Sequence, residues 1–238
     1  AFADIAAPGH AAPVCGLPGE WFVGAGDWGS SGEDGWADSA GPFGRFLSRA
    51  CTDHRNFYAA EGLRQLGYGV AGGSVLANTS LDAGFQNWYQ RDVRTPGTDD
   101  VASFWKGFGE GHVVIPAFAG AAVAAAVLPK GPLVDATGDF SGRTCRAYLV
   151  GIPPMLFMQA LLGGSRVGEA DLGSRWKPFD DDNGVSGHAF VGAVPWITAA
   201  RQAEKPWAKT ALYACSTLPT WSRVNEGSNG KAPRSGAL

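Results

Sequence analysis

The chain has 238 residues, enough for one sizeable core, and 45% of them are hydrophobic while only 17% are charged. That charge content lies below the roughly 25% of an average soluble domain and directs the reading towards a membrane-embedded or heavily buried helical protein. A net charge of −3, with no basic run interleaved with aromatics, excludes a nucleic-acid partner.

Four cysteines, Cys15, Cys51, Cys145 and Cys215, lie far apart without a CxxC pair, which excludes a clustered zinc site. Cys145 and Cys215 fall in or beside apolar segments and read as packed thiols. Cys15 and Cys51 are left open as a bridge or as two thiols. The first residue is Ala1 and no charged-then-apolar leader follows it, so the sequence reads as a mature form or a fragment.

Residues 1–44 are rich in Gly, Pro, Ser and Trp and hold no Lys or Arg. Neither a period of 2 nor one of 3.6 runs through them, which predicts a loosely structured extension. Residues 45–226 form the expected helical domain, and residues 227–238 an irregular tail. Within the domain, charge-free stretches cover Gln65–Leu81, Gly111–Pro129, Ala147–Ser165 and Gly184–Ala200, with a shorter one at Thr210–Ser222. The first four approach the ~20 residues that cross a bilayer core as a helix. Trp105, Trp207 and Trp221 stand near segment ends, where interfacial aromatics belong.

Long Ala-rich runs with little alternation disfavour strands. The expectation is therefore an all-α bundle with five spans, embedded in a membrane. The competing reading makes the same segments buried helices of a soluble bundle. Their prolines (Pro116, Pro153, Pro154 and Pro195) need neighbours to satisfy the carbonyls they free. Asp99 and Asp100, after Pro96-Gly97, mark a helix start.

The chemistry concentrates between Arg166 and Arg223. Asp180, Asp181, Asp182 and Asn183 lead to Gly184, and Ser186 is a good N-cap. A helix starting there offers free N–H groups from Gly187 and His188, and its dipole favours an anion. Gly187 lets a phosphate approach the backbone, and His188 on the first turn can protonate a leaving alkoxide. Arg166, Arg175, Lys177 and Arg223 are candidate phosphate clamps. If the last three apolar segments alternate in direction, these groups share one end of the bundle. The Asp180–Asp182 run has Val191 where a calcium loop needs Glu, so it reads as a solvated acidic loop and no metal site is expected. His10 reads as a solvated loop residue, His54 as a helix-start residue and His112 as a cap at the head of an apolar segment.

These residues resemble the type-2 phosphatidate phosphatase superfamily, which also includes bacterial acid phosphatases and vanadium haloperoxidases. Its pattern is Lys-x6-Arg-Pro, then Pro-Ser-Gly-His, then Ser-Arg-x5-His-x3-Asp, and the likeness runs from Ala147 to Arg223. Ser186, Gly187 and His188 match the second motif, with Val185 in place of Pro. Ser222 and Arg223 open the third. With Arg166 as the Arg of the first motif, Gln159 stands at its Lys position and Val167 at its Pro. Lys177-Pro178 is a second alignment, with Ala170 at the Lys position.

The third motif departs further. Asn229 occupies the place of the nucleophilic His and Pro233 that of the supporting Asp, and no His follows His188. A carboxamide cannot form a phosphohistidine. The tail also lacks a sixth apolar helix, which predicts a truncated or frame-slipped chain that is inactive as given.

The resemblance implies metal-free and cofactor-free hydrolysis of a phosphate monoester or lipid phosphate. His188 would be the acid, and Arg166, Arg175, Lys177, Ser186, Gly187 and Arg223 would hold the phosphate. The implied partners are a phosphorylated lipid or small phosphate ester and a membrane. The distribution of basic residues over five spans, including a Lys130–Arg146 loop, puts the site on the non-cytoplasmic side. The alternative is a catalytically dead membrane protein that binds phosphorylated lipid or a partner.

Overall fold

The computed structural model describes residues 41–163, 179 and 185–226. Among them are eight α-helices, one π-helical turn and no strand, so the expected all-α class holds. Clustering of the chain separates residues up to Gly67 from those beginning at Tyr68, and each unit is described by itself.

The first unit holds α1 (Gly41–Phe57) and the start of α2 (Ala60–Ala77). His54 lies in the last turn of α1 with Arg55, where a cation complements the helix dipole. It does not open a helix, contrary to the sequence expectation.

The second unit continues from α2 with α3 (Ser80–Trp88), the π turn (Tyr89–Val93), α4 (Pro96–Gly107) and α5 (Gly111–Val127). Then come α6 (Pro132–Leu162), α7 (Gly187–Gln202) and α8 (Pro206–Glu226). The stretch Gln65–Leu81 is not one helix. It breaks before Ser80, where the Thr79 hydroxyl caps α3 by accepting the Leu81 N–H at 3.4 Å. The start near Asp99 is set by a capping box in which Thr95 and Thr98 satisfy each other's backbone N–H, with Pro96 at the head of α4.

A second correction concerns residues 130–146, expected as a loop. Helix α6 begins at Pro132 and runs through them to Leu162. Asp135 and Asp139 face outwards, whereas Ser141, Thr144 and Tyr148, spaced three and four apart, are buried. Asp135 and Asp139 sit on the outer face of the helix and Arg146 is buried within it, so charges in the sequence did not mark its end.

The core forms where α5, α6 and α7 meet. Tyr148, Val191 and Val194 are buried there against Val114, Ile115, Phe118, Ile152 and Phe190. Pro195 lies inside α7 and supplies no N–H to the Val191 carbonyl one turn back. The Tyr148 hydroxyl of α6 donates to that carbonyl at 2.8 Å. This is the neighbour's compensation that an intrahelical proline requires.

Helices α7 and α8 form an antiparallel hairpin packed so closely that a Cβ on Gly192 would lie 2.5 Å from Pro219 Cβ. Trp196 of α7 packs at a tilt against Trp105 of α4 and edge-on against Phe108, with ring centroids 5.3 and 5.4 Å apart. Among the described residues, α6 is the one helix that is by itself long and apolar enough to cross a membrane, against five expected spans, with 28% of its most apolar window buried. Helices α4 and α5 pass the same test only together, as a pair bent by 47°.

Candidate functional site

Ser186 is the N-cap of α7, with its side-chain oxygen accepting the Ala189 N–H at 3.2 Å. As an acceptor in the cap it leaves its own O–H available as a donor. The Gly187 and His188 amides, at the head of the helix, have no intrahelical acceptor. The side of Gly187 from which a Cβ would project faces α6, with Gln159 Nε2 at 3.5 Å and Met155 Cε at 3.8 Å.

Gln159 also donates through Nε2 to the Val185 carbonyl at 2.7 Å. Gln159 thus touches both sides of the Ser186 cap. One turn of chain away, Phe179 donates its N–H to the Ala160 carbonyl at 3.0 Å and adopts a positive φ of 63°. Arg166, Arg175 and Lys177 lie outside the described residues.

His188 and Arg223 occupy the same end of the α7–α8 hairpin. The helices touch at Gly192 and Pro219. His188 is four residues before the first contact point and Arg223 four after the second, one turn along the same faces of antiparallel helices. His188 is 41% exposed and Arg223 35% exposed, so both reach solvent from a partly buried base.

Each is already faced by a carboxylate that the sequence reading did not single out. Glu110, between α4 and α5, places Oε1 3.7 Å from His188 Nε2 and Oε2 3.4 Å from His112 Nδ1. Arg223 Nη1 donates to Glu226 Oε2 at 2.7 Å, and Lys106 Nζ donates to Glu226 Oε1 at 2.8 Å.

The turn carrying these groups is pressed onto α7. A Cβ on Gly109 would meet the His188 carbonyl oxygen at 2.8 Å and its Cβ and Cδ2 at 3.1 Å. Lys106 and Glu110 are separated from Arg223 and Glu226 by more than a hundred residues of sequence, and no periodicity links them. The only local signal was the run Phe-Gly-Glu-Gly ahead of His112.

The C-terminal end of α8, which carries Arg223, is fixed by a polar network. Tyr89 Oη donates to Asn225 Oδ1 at 2.9 Å, and Asn225 Nδ2 donates to Asp99 Oδ1 at 2.7 Å. Arg94 holds Asp99 through Nε at 2.8 Å, and Gln90 Nε2 donates to the Val224 and Asn225 carbonyls at 2.9 and 3.1 Å. These donors satisfy carbonyls at the end of α8 that a helix leaves free.

Among the described residues no group of three or more His, Cys, Asp or Glu side chains is arranged to hold a metal ion. No protein-family model, curated protein or solved structure matches this chain.

Proposed function

We propose that this chain carries the phosphate-binding half of a metal-free, histidine-dependent phosphatase. The observation that supports it best is that Gln159 of α6 holds the Ser186 cap of α7, while Arg223 of α8 lies at the same end of the α7–α8 hairpin as His188. These are the positions that the three motifs of the type-2 phosphatidate phosphatase pattern would occupy. A phosphate monoester would enter with its oxygens towards Arg223 and the Gly187 and His188 amides, groups that each favour an anion. Once a nucleophile supplied from elsewhere attacked the phosphorus, His188 Nε2 would give a proton to the departing alkoxide oxygen, with Glu110 Oε1 3.7 Å away to orient the ring. Arg166, Arg175 and Lys177 are proposed to complete the cradle.

The same reading places the protein at a membrane, with α6 as its span and a phosphorylated lipid or small phosphate ester as ligand. Exposed Leu149, Leu156, Phe157 and Leu161 on α6 would then face acyl chains.

Asn229 stands where the nucleophile would be, so the chain as given is expected to bind phosphate and not to turn it over. The test uses purified full chain in nonionic micelles. Titration with inorganic phosphate should show binding that Arg223→Met and His188→Ala each weaken at least tenfold, and p-nitrophenyl phosphate should not be hydrolysed. Binding unchanged in both variants would overturn the site. Turnover lost in His188→Ala would show that a different group serves as nucleophile.

A further inference from the structure

We propose that Lys106 is a further phosphate-binding residue and that Glu226 is a built-in carboxylate occupying the phosphate position until ligand displaces it. The inference rests on the phosphate-binding reading above and names a residue and a control that the sequence motifs do not contain.

The geometry is that of an oxyanion gripped by two cations. Lys106 Nζ takes one oxygen of the Glu226 carboxylate at 2.8 Å, and Arg223 Nη1 takes the other at 2.7 Å. The two donors come from different elements, the last turn of α4 and the last turn of α8. Their convergence is therefore made by tertiary packing and not by helical neighbourhood alone. A carboxylate and a phosphate both present two anionic oxygens on one centre, so a fork that holds the first also fits the second.

Lys106 is brought to this place by the same contacts that hold His188. Trp105 and Phe108, on either side of it, pack on Trp196 of α7, and Gly109 lies against the His188 backbone. The first motif's Lys position is filled by Gln159, a neutral side chain that is spent on the Val185 carbonyl. Lys106 supplies the ammonium that Gln159 does not. The three side chains are about one-third exposed, at 37%, 35% and 33% for Lys106, Arg223 and Glu226. Water and ligand can therefore reach the pair, and the carboxylate can swing out when a doubly charged phosphate takes its place. The competition is electrostatic: a dianion outbids a monoanion for the same two cations, and removing the monoanion lowers the barrier to entry.

The experiment measures inorganic phosphate binding to purified full chain in nonionic micelles by calorimetry. In parallel it measures binding of the chain to phosphatidylcholine vesicles with and without phosphatidate. Glu226→Gln, which keeps the shape and removes the charge, should tighten phosphate binding about tenfold. Lys106→Met should weaken it by a similar factor in the wild-type background and cancel the gain in the Glu226→Gln background, while Lys106→Arg should retain binding. Parallel gains in both arms indicate recognition of the phosphate group itself, and a gain confined to phosphatidate vesicles indicates a lipid headgroup. Either supports the proposal.

If Arg223→Met abolishes binding but Glu226→Gln leaves it unchanged or weaker, this inference falls and the parent reading stands. If phosphate binds neither wild type nor Glu226→Gln, both fall. Should Glu226→Gln fail to fold, judged by thermal unfolding, Lys106→Met against Lys106→Arg decides alone. Equal binding by those two overturns the role of Lys106.

Discussion

At the scale of single residues, three positions separate what a side chain does from what its absence permits. Gly192 has no room for a methyl group, because a Cβ there would lie 2.5 and 2.9 Å from the Pro219 ring. A proline ring cannot rotate away, so the helices themselves must part. Gly192→Ala should cost about 1–3 kcal/mol, read by chemical denaturation, and a change near zero would mean that the hairpin is looser than this contact requires. Gly142, within α6, has nothing within 4 Å of its Cβ position. There the substitution to Ala only removes unfolded-state freedom and should stabilise by about 0.5–1 kcal/mol. Tyr148→Phe would leave the Val191 carbonyl, already deprived of a donor by Pro195, buried and unpaired. That change should cost about 1–3 kcal/mol, although the ring volume is nearly unchanged.

At the scale of elements, the end of α8 is the joint on which the candidate site depends. Arg223 lies in its last turn, and the carbonyls of Val224 and Asn225 are held by Gln90 from the π turn. A π turn carries one more residue than an α turn and swings the following side chains to a new angle, which brings Gln90 towards α8. Gln90→Leu should therefore cost about 1–2 kcal/mol. It should also speed amide hydrogen exchange in the last turn of α8 while leaving the middle of α6 protected. Uniform acceleration across both helices would indicate global destabilisation and count against this local role. The Ser186 cap was legible beforehand because an N-cap hydroxyl acts on a backbone N–H two or three residues ahead, an interaction local in sequence. The clamp on α8 was not, since its donors come from residues 89–94 and its acceptors from 224–225.

At the scale of the whole molecule, the α7–α8 hairpin has two chemically different ends. His188 and Arg223 lie at one, and Arg201, Lys205 and Lys209 lie at the other around the turn between the helices. Helix α7 has 16 residues, which separates the ends by about 24 Å at 1.5 Å per residue. If the protein is integral to a membrane as proposed and the hairpin lies alongside the α6 span, the cluster of three basic residues belongs on the cytoplasmic side and the candidate site on the opposite one. Single cysteines at Phe179 and Glu204, in a chain freed of its native cysteines, test this with a membrane-impermeant thiol reagent on intact cells. Labelling at 179 and not at 204 is the expected result. Labelling at 204 alone reverses the orientation, and release of the unlabelled chain by alkaline carbonate would sink the membrane reading itself.

The sequence by itself determined that the described part of the chain is helical, because Ala-rich runs, caps and proline positions act through neighbours three and four residues away. It also marked the Ser186 cap and, by alternating the direction of successive apolar segments, put His188 and Arg223 at one end of adjacent helices. It misplaced the start of α6, where Asp135 and Asp139 on the exposed face of a helix look the same in sequence as charges in a loop. Only the tertiary structure decided which groups face one another. Tyr148 answers the carbonyl freed by Pro195, Gln159 takes the Val185 carbonyl, and Glu110 and Glu226 meet the cations of the candidate site. Those pairings join residues up to 120 positions apart, and burial and crossing of the helices, not any local preference, select them.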